Sequence, residues 1–150
     1  RDNRFRCENL GGNRGISGNT NAAVAMALGT AYGEAMRDLR LDEERIVAPT
    51  LLAAEVTHAL TKYMRGGYLT SEEALACGRD AIALVDDFRE DETLWAEAMT
   101  ESVRLDHSSY DLFYLVLARR EGATLFTVDR KLQDLCAQNG VNCIWLDTAF

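Results

Sequence analysis

A chain of 150 residues, 47% of them hydrophobic and only one a proline, can bury a sizeable core and is expected to fold as a single domain, 1–150, rather than stay disordered. The net charge of −8 excludes a protein that coats nucleic acid at large, because such binding is driven by Lys and Arg neutralising phosphates. It leaves room for a nuclease, in which clustered carboxylates count as acidic while a bound metal reverses the local sign.

No apolar run approaches the roughly 20 residues that cross a bilayer, and the opening "RDNRFRCENLGGNRG" has no apolar signal-peptide core. A soluble, cytoplasmic protein with no membrane partner is expected. Residues 1–17 form an atypical Gly- and Asn-rich segment, in which Arg1, Arg4, Arg6 and Arg14 outnumber the acids Asp2 and Glu8. Such a basic tail could touch RNA, but a solvated terminus is the simpler reading.

After the Gly/Asn-rich stretch 9–21, "AAVAMALG" and "AYGEAMRDLR" read as two short helical pieces separated by Gly29 and Thr30. "RIVAP" (45–49) is a buried strand ended by proline. Thr50 offers an N-cap to the helix that follows, whose Leu52, Val56, Ala59, Leu60 and Tyr63 share one face, with Gly66 and Gly67 as its stop. Thr70 and Glu73 have capping-box spacing at the head of a second amphipathic helix. "DETLWAEAMTESVRL" is a third, with an apolar stripe of Leu94, Trp95, Ala98, Met99 and Val103.

Ser108 and Asp111 are again spaced as a capping box, opening a helix that is nearly all apolar from Leu112 to Ala118 and ends at Gly122. That helix should be central and buried. The period then changes: "ATLFTV" (123–128) is a buried strand, "DRKLQDLCAQNG" a helix closed by Gly140, and "VNCIWL" (141–146) a last strand. Strands alternating with helices indicate a parallel sheet covered on both faces, hence an α/β fold.

Cys7, Cys77, Cys136 and Cys143 form no C-x-x-C pair and read as structural thiols. With only His58 and His107, a histidine-rich metal site is not expected. The acids carry more. In a parallel sheet ligands collect at the carboxyl ends of strands, and Asp129 follows the strand "TLFTV" directly, although a helix N-cap is its competing role. Glu55 lies within one turn of a helix start among apolar residues, so it is either solvated on the outer face or turned toward a compensating partner. Asp111 occupies the first turn of the most apolar helix, with the capping box as its alternative. Helix starts in a doubly wound sheet converge on one edge. Carboxylates gathered there repel unless protonated or bridged by a cation, and hard oxygen ligands suit Mg²⁺ or Mn²⁺.

The segments "APTLLAAEVTHALTKYMRGGYLTSEEA", "HSSYDLFYLVLARREGATLFTVDRKL" and "GVNCIWL" closely resemble the PIN-domain family, above all its small VapC-like bacterial toxins. The likeness spans about two thirds of the chain. It implies a PIN-like three-layer fold, a parallel sheet flanked by helices. It also implies a ribonuclease that uses Mg²⁺ or Mn²⁺ to cut an RNA phosphodiester. Of the family's four acidic positions, Glu55, Asp111 and Asp129 match the second, third and fourth, and are the implied metal ligands. The first falls in "NTNAAVAMAL", where Asn19 stands in place of Asp. An amide carbonyl is a neutral ligand, so weaker metal binding and lower activity are expected. The preceding "NLGGNRGISG" is too rich in Gly and Asn to be expected as a regular central strand.

A toxin of this kind implies an RNA substrate, an antitoxin protein lying near the acidic groove, and a homodimer. Apolar helix faces bearing Tyr32, Met36, Tyr63 and Met64 could serve such partners, or simply the core. The competing reading is a non-catalytic PIN-like module that binds RNA or protein, favoured by Asn19. A receiver-like or phosphatase-like domain built on Asp129 lacks both the paired strand-terminal aspartates and the phosphate-cradling glycine loop.

Overall fold

The computed structural model describes residues 16–18, 45–127 and 129–145. The basic tail, Cys7, Asn19, the two helical pieces expected between residues 22 and 40, Tyr32 and Met36 lie outside the described residues.

Five parallel strands form one sheet in the order β3-β2-β1-β4-β5: β1 (Ile16–Gly18), β2 (Ile46–Pro49), β3 (Asp87–Arg89), β4 (Thr124–Thr127) and β5 (Cys143–Trp145). Five α-helices accompany them among the described residues: α1 (Leu52–Arg65), α2 (Ser71–Ala83), α3 (Trp95–Leu105), α4 (Ser109–Glu121) and α5 (Arg130–Gln138). This is the expected α/β architecture, a parallel sheet flanked by helices. From β2 the chain steps outward to β3, and from β4 it steps outward the other way to β5. Steps in opposite directions are the pattern by which right-handed crossovers place helices on both faces of a sheet, and the order reverses beside β1 and β4.

The core explains why these segments are regular. β2 is buried along its length, Ala48 completely, and α4 buries Leu112, Tyr114, Leu115, Val116, Leu117 and Ala118 against β1, β2 and β4. At roughly 1.5–3 kcal/mol for each large apolar side chain removed from water, α4 contributes a large share of the apolar stabilisation among the described residues. Gly122 ends it with φ +60, a left-handed value that glycine adopts without steric cost. The expected box between Thr70 and Glu73 is present, with Thr70 Oγ1 accepting from Glu73 N–H and Glu73 Oε2 from Thr70 N–H. Cys77, Cys136 and Cys143 are free thiols, the first two buried.

Several local expectations are corrected. Ile16–Gly18 is a strand despite its glycine-rich surroundings, and a central one, paired to both β2 and β4. Thr50 does not cap α1: its Oγ1 accepts from Asp91 N–H at 3.1 Å, while Asp91 Oδ1 accepts from Leu51 N–H at 3.1 Å. A side chain from a distant segment thus serves the helix start. The third expected helix is broken into a 3₁₀ turn (Asp91–Thr93) and α3, and its buried face is Leu94, Ala98 and Glu101. Trp95, Met99 and Val103 are exposed, by 54%, 55% and 81%. Tyr63, expected on the inner face of α1, is exposed. β3 carries the charged sequence Asp-Phe-Arg and was not expected; charge suits an edge strand, which must discourage further pairing.

Candidate active site

All five strands run the same way, so their carboxyl ends share one edge. A helix leaving a strand begins at that edge, as α1 does after β2 and α5 after β4. α4 leads into β4 through a tight turn, runs antiparallel to it, and so also begins there. Three helix starts therefore bring Glu55, Asp111 and Asp129 to the same side of the sheet.

Asp129 is the N-cap of α5. Its Oδ1 accepts from Lys131 N–H at 2.9 Å and more weakly from Leu132 N–H at 3.4 Å, and its own N–H donates to Thr127 Oγ1 at 3.0 Å. The capping role and a ligand role do not compete, because both cap bonds use one of the two carboxylate oxygens. Asp111 does not form the expected capping box, since Ser108 makes no side-chain cap bond. Instead its Oδ2 lies 2.8 Å from His107 Nε2. Burial pushes the Asp111 carboxyl above its ordinary pKa; the His107 contact works against that shift and the nearby Asp129 adds to it.

His107 is placed by the turn between α3 and α4. Asp106 takes a left-handed conformation, φ +50, at the end of α3, which Asp tolerates better than most residues. Ser102 then locks the turn: its carbonyl accepts from His107 N–H at 3.2 Å and its hydroxyl donates to the His107 carbonyl at 2.5 Å. The imidazole is left only 12% exposed. Ligand atoms of His107, Asp111 and Asp129 lie within 4.8 Å of one another, a grouping close enough to share one metal ion.

Glu55 is outside that group but shares a cleft of about 740 Å³ with Asp111. Buried Tyr114 donates its hydroxyl to Glu55 Oε1 at 2.7 Å. Because Tyr114 follows Asp111 by three residues on α4, the two side chains lie on neighbouring positions of the helix surface. Glu55 is thus turned toward a partner rather than outward. Asn19 lies outside the described residues; β1, which it follows, ends at the same edge.

The donor set fits a hard divalent cation. Two close carboxylates, one of them raised in pKa by burial and by its neighbour, are destabilised when both are ionised, and a cation between them reverses that cost. Oxygen donors suit Mg²⁺ or Mn²⁺, and an imidazole held on a carboxylate fixes that carboxylate's direction. Sequence reasoning missed His107 and Tyr114. Their only signal was position, four residues before and three after Asp111.

A family model described as PIN domain matches residues 19–138. Among solved structures, the crystal structure of PAE2754 from Pyrobaculum aerophilum is similar with a TM-score of 0.68 and 22% identity, over 87% of this chain and 83% of that one. The structure of VapBC2 from Rickettsia felis, bound to a DNA fragment from their promoter, is similar with a TM-score of 0.63 and 16% identity, over 88% of this chain and 98% of that one. At these identities the likeness is one of fold. No curated protein matches the chain.

Proposed function

Because the chain belongs to the PIN domain family, we propose that it is a metal-dependent endoribonuclease, the toxin of a toxin–antitoxin pair acting in the cytoplasm. The observation that carries this reading is the approach of Asp111 and Asp129 within a single group of ligand atoms beside the cleft that holds Glu55. Asp111, Asp129 and Glu55 would hold Mg²⁺ or Mn²⁺. When bound, such an ion supplies an activated water and neutralises charge on the scissile phosphate.

The protein's own share is positional. Asp129 is fixed by the backbone of α5, Asp111 by His107, and Glu55 by Tyr114. Held this way, the carboxylates need little reorganisation when a substrate arrives. Asn19 would offer a neutral oxygen where the family has an acid, so metal binding and turnover should be weaker than with four carboxylates. That same residue favours the second reading, a PIN-like module that binds RNA or protein without cutting.

An antitoxin lying over the cleft would mask the acids. A homodimer is supported by Trp95, Met99 and Val103, which recur every four residues on α3 and are exposed. None of the described helices is long and apolar enough to cross a membrane.

The test is incubation with single-stranded RNA in Mn²⁺ or Mg²⁺, with a chelator control, for the wild type and Asp129→Asn. Asn is as good an N-cap as Asp, so the variant removes the charge and keeps the start of α5. Cleavage should need metal and fall by about 100-fold or more in the variant, since even residues that only orient a metal ligand cost roughly 10–100-fold when changed. RNA bound but never cut, with metal present, would favour the non-catalytic module.

A further inference from the structure

The cleft holding Glu55 and Asp111 opens through an aromatic mouth that the proposed metal chemistry does not use. Tyr63 and Tyr68 line it from the end of α1 and the turn beyond, Tyr110 from the first turn of α4, and Lys62 adds a positive charge. Tyr68 is 78% exposed and Tyr110 61%. Folding alone gains little from two large rings left in water at a cleft.

Tyr68 is nonetheless held in place. Its ring meets that of Tyr63 edge-on, with centroids 6.4 Å apart and planes at 85°, and its N–H donates to the Tyr63 carbonyl at 3.0 Å. The ring also lies against Gly66, where a Cβ would come within 2.7 Å of Cε2 and 2.8 Å of Cδ2. Gly66 has φ −77, open to any residue, so its use is to make room for the ring and not to free the backbone.

We propose that Tyr68, seated by Gly66 and Tyr63, is a stacking platform for an unpaired base of the RNA whose backbone reaches the acid cluster, with Tyr110 as a further ring at the same mouth. The inference rests on the nuclease reading and names how that site selects its substrate. A chain of net charge −8 repels a polyanion overall, so contacts independent of charge must carry much of the binding. Every base presents a π-face, and stacking on an aromatic side chain is tolerant of sequence. A cleft of about 740 Å³ falls in the range that encloses a small ligand, which suits one splayed nucleotide. Lys62 at the mouth matches a backbone phosphate. Bases paired in a duplex are already stacked on one another and cannot enter. The site therefore takes single strands or loops.

The experiment measures kcat and KM on a single-stranded oligonucleotide for the wild type, Tyr68→Ala, Tyr68→Phe and Gly66→Ala. It repeats them on oligonucleotides in which one nucleotide at a time lacks its base. Tyr68→Ala should weaken substrate use by between about fivefold and about 100-fold, more in KM than in kcat, while Tyr68→Phe restores it. Gly66→Ala, which displaces the ring without removing it, should fall between. One abasic position should cost the wild type as much as Tyr68→Ala does, and cost Tyr68→Ala nothing more, because both remove the same contact. A Tyr68→Ala enzyme with wild-type KM and an undiminished abasic penalty overturns the platform and leaves the nuclease reading standing. Loss of a protein partner with RNA use intact would assign the ring to that partner and overturn it equally. A wild type that neither binds nor cuts RNA overturns the nuclease reading, and the platform with it.

Discussion

Asp111 and Asp129 are each tied down by a bond unrelated to any metal, Asp129 to backbone N–H groups of α5 and Asp111 to His107. Such bonds aim a carboxylate before a ligand is present. His107 is the more informative of the two supports, since its ring does nothing for a helix start. His107→Gln is expected to lower kcat/KM on RNA by roughly 10–100-fold, the usual cost of removing a group that orients a ligand. A cooperative thermal melt of the same variant checks that the fold survives, and full activity would reduce His107 to a turn residue. That the three acids would gather at one edge was legible in the sequence because each stands at a helix start beside a strand or tight turn. His107 was not, because its position depends on the left-handed Asp106 and on the reciprocal bonds to Ser102, and neither has a sequence pattern.

At the scale of elements, the packing of α3 on α4 departs most from expectation. The apolar stripe drawn from sequence mixed two faces, and the chain buries the one that carries Glu101. An acid can lie there because cations meet it. Arg104 donates to Glu101 at 2.8 and 2.6 Å, Arg119 donates at 2.9 Å from α4, and Arg119 also reaches Glu97 at 2.5 Å. The Arg104 guanidinium, with help from Arg119 and against the cost of burial, holds the Glu101 carboxyl down at about 2. Glu101 is therefore more acidic folded than unfolded, so its contribution is complete above the unfolded pKa and is lost as pH falls through the folded one. Glu101→Gln should cost about 2 kcal/mol at neutral pH, as expected for hydrogen bonds to charged groups. The difference from the wild type should shrink as pH drops from about 5 toward about 2. Urea denaturation at stepped pH reads this directly; a gap independent of pH would mean that Glu101 acts through packing alone. Periodicity could not locate this face, because a hydrophobic stripe cannot reveal an acid neutralised by a neighbouring helix.

For the whole molecule, one parallel sheet explains why residues as far apart in sequence as Glu55 and Asp129 belong to one region. The strand order reverses beside β1 and β4, and a ligand site at such a reversal, at the carboxyl edge, is the general rule for open α/β sheets. The alternation of buried strands and helices made this architecture legible from the sequence. The central place of β1 was not, since three residues ending in glycine carry too little pattern, and the charged β3 was hidden because Phe88 is its one apolar residue. The acidic net charge also takes on meaning at this scale. Under the proposed function it would suit a protein that draws a cation to one edge and admits nucleic acid only where that cation and a local aromatic surface permit.

The central claim is that Asp111 and Asp129 hold a divalent cation at that edge, and calorimetric titration of Mn²⁺ into the wild type, Asp111→Asn and Asp129→Asn tests it most directly. Both substitutions keep the size of the side chain and leave a neutral amide oxygen in place of an anionic one, which hard cations bind less strongly. The account predicts saturable Mn²⁺ binding by the wild type, competed by Mg²⁺, and affinity weakened by about tenfold or more in each variant. Equal Mn²⁺ affinity in all three proteins would contradict it.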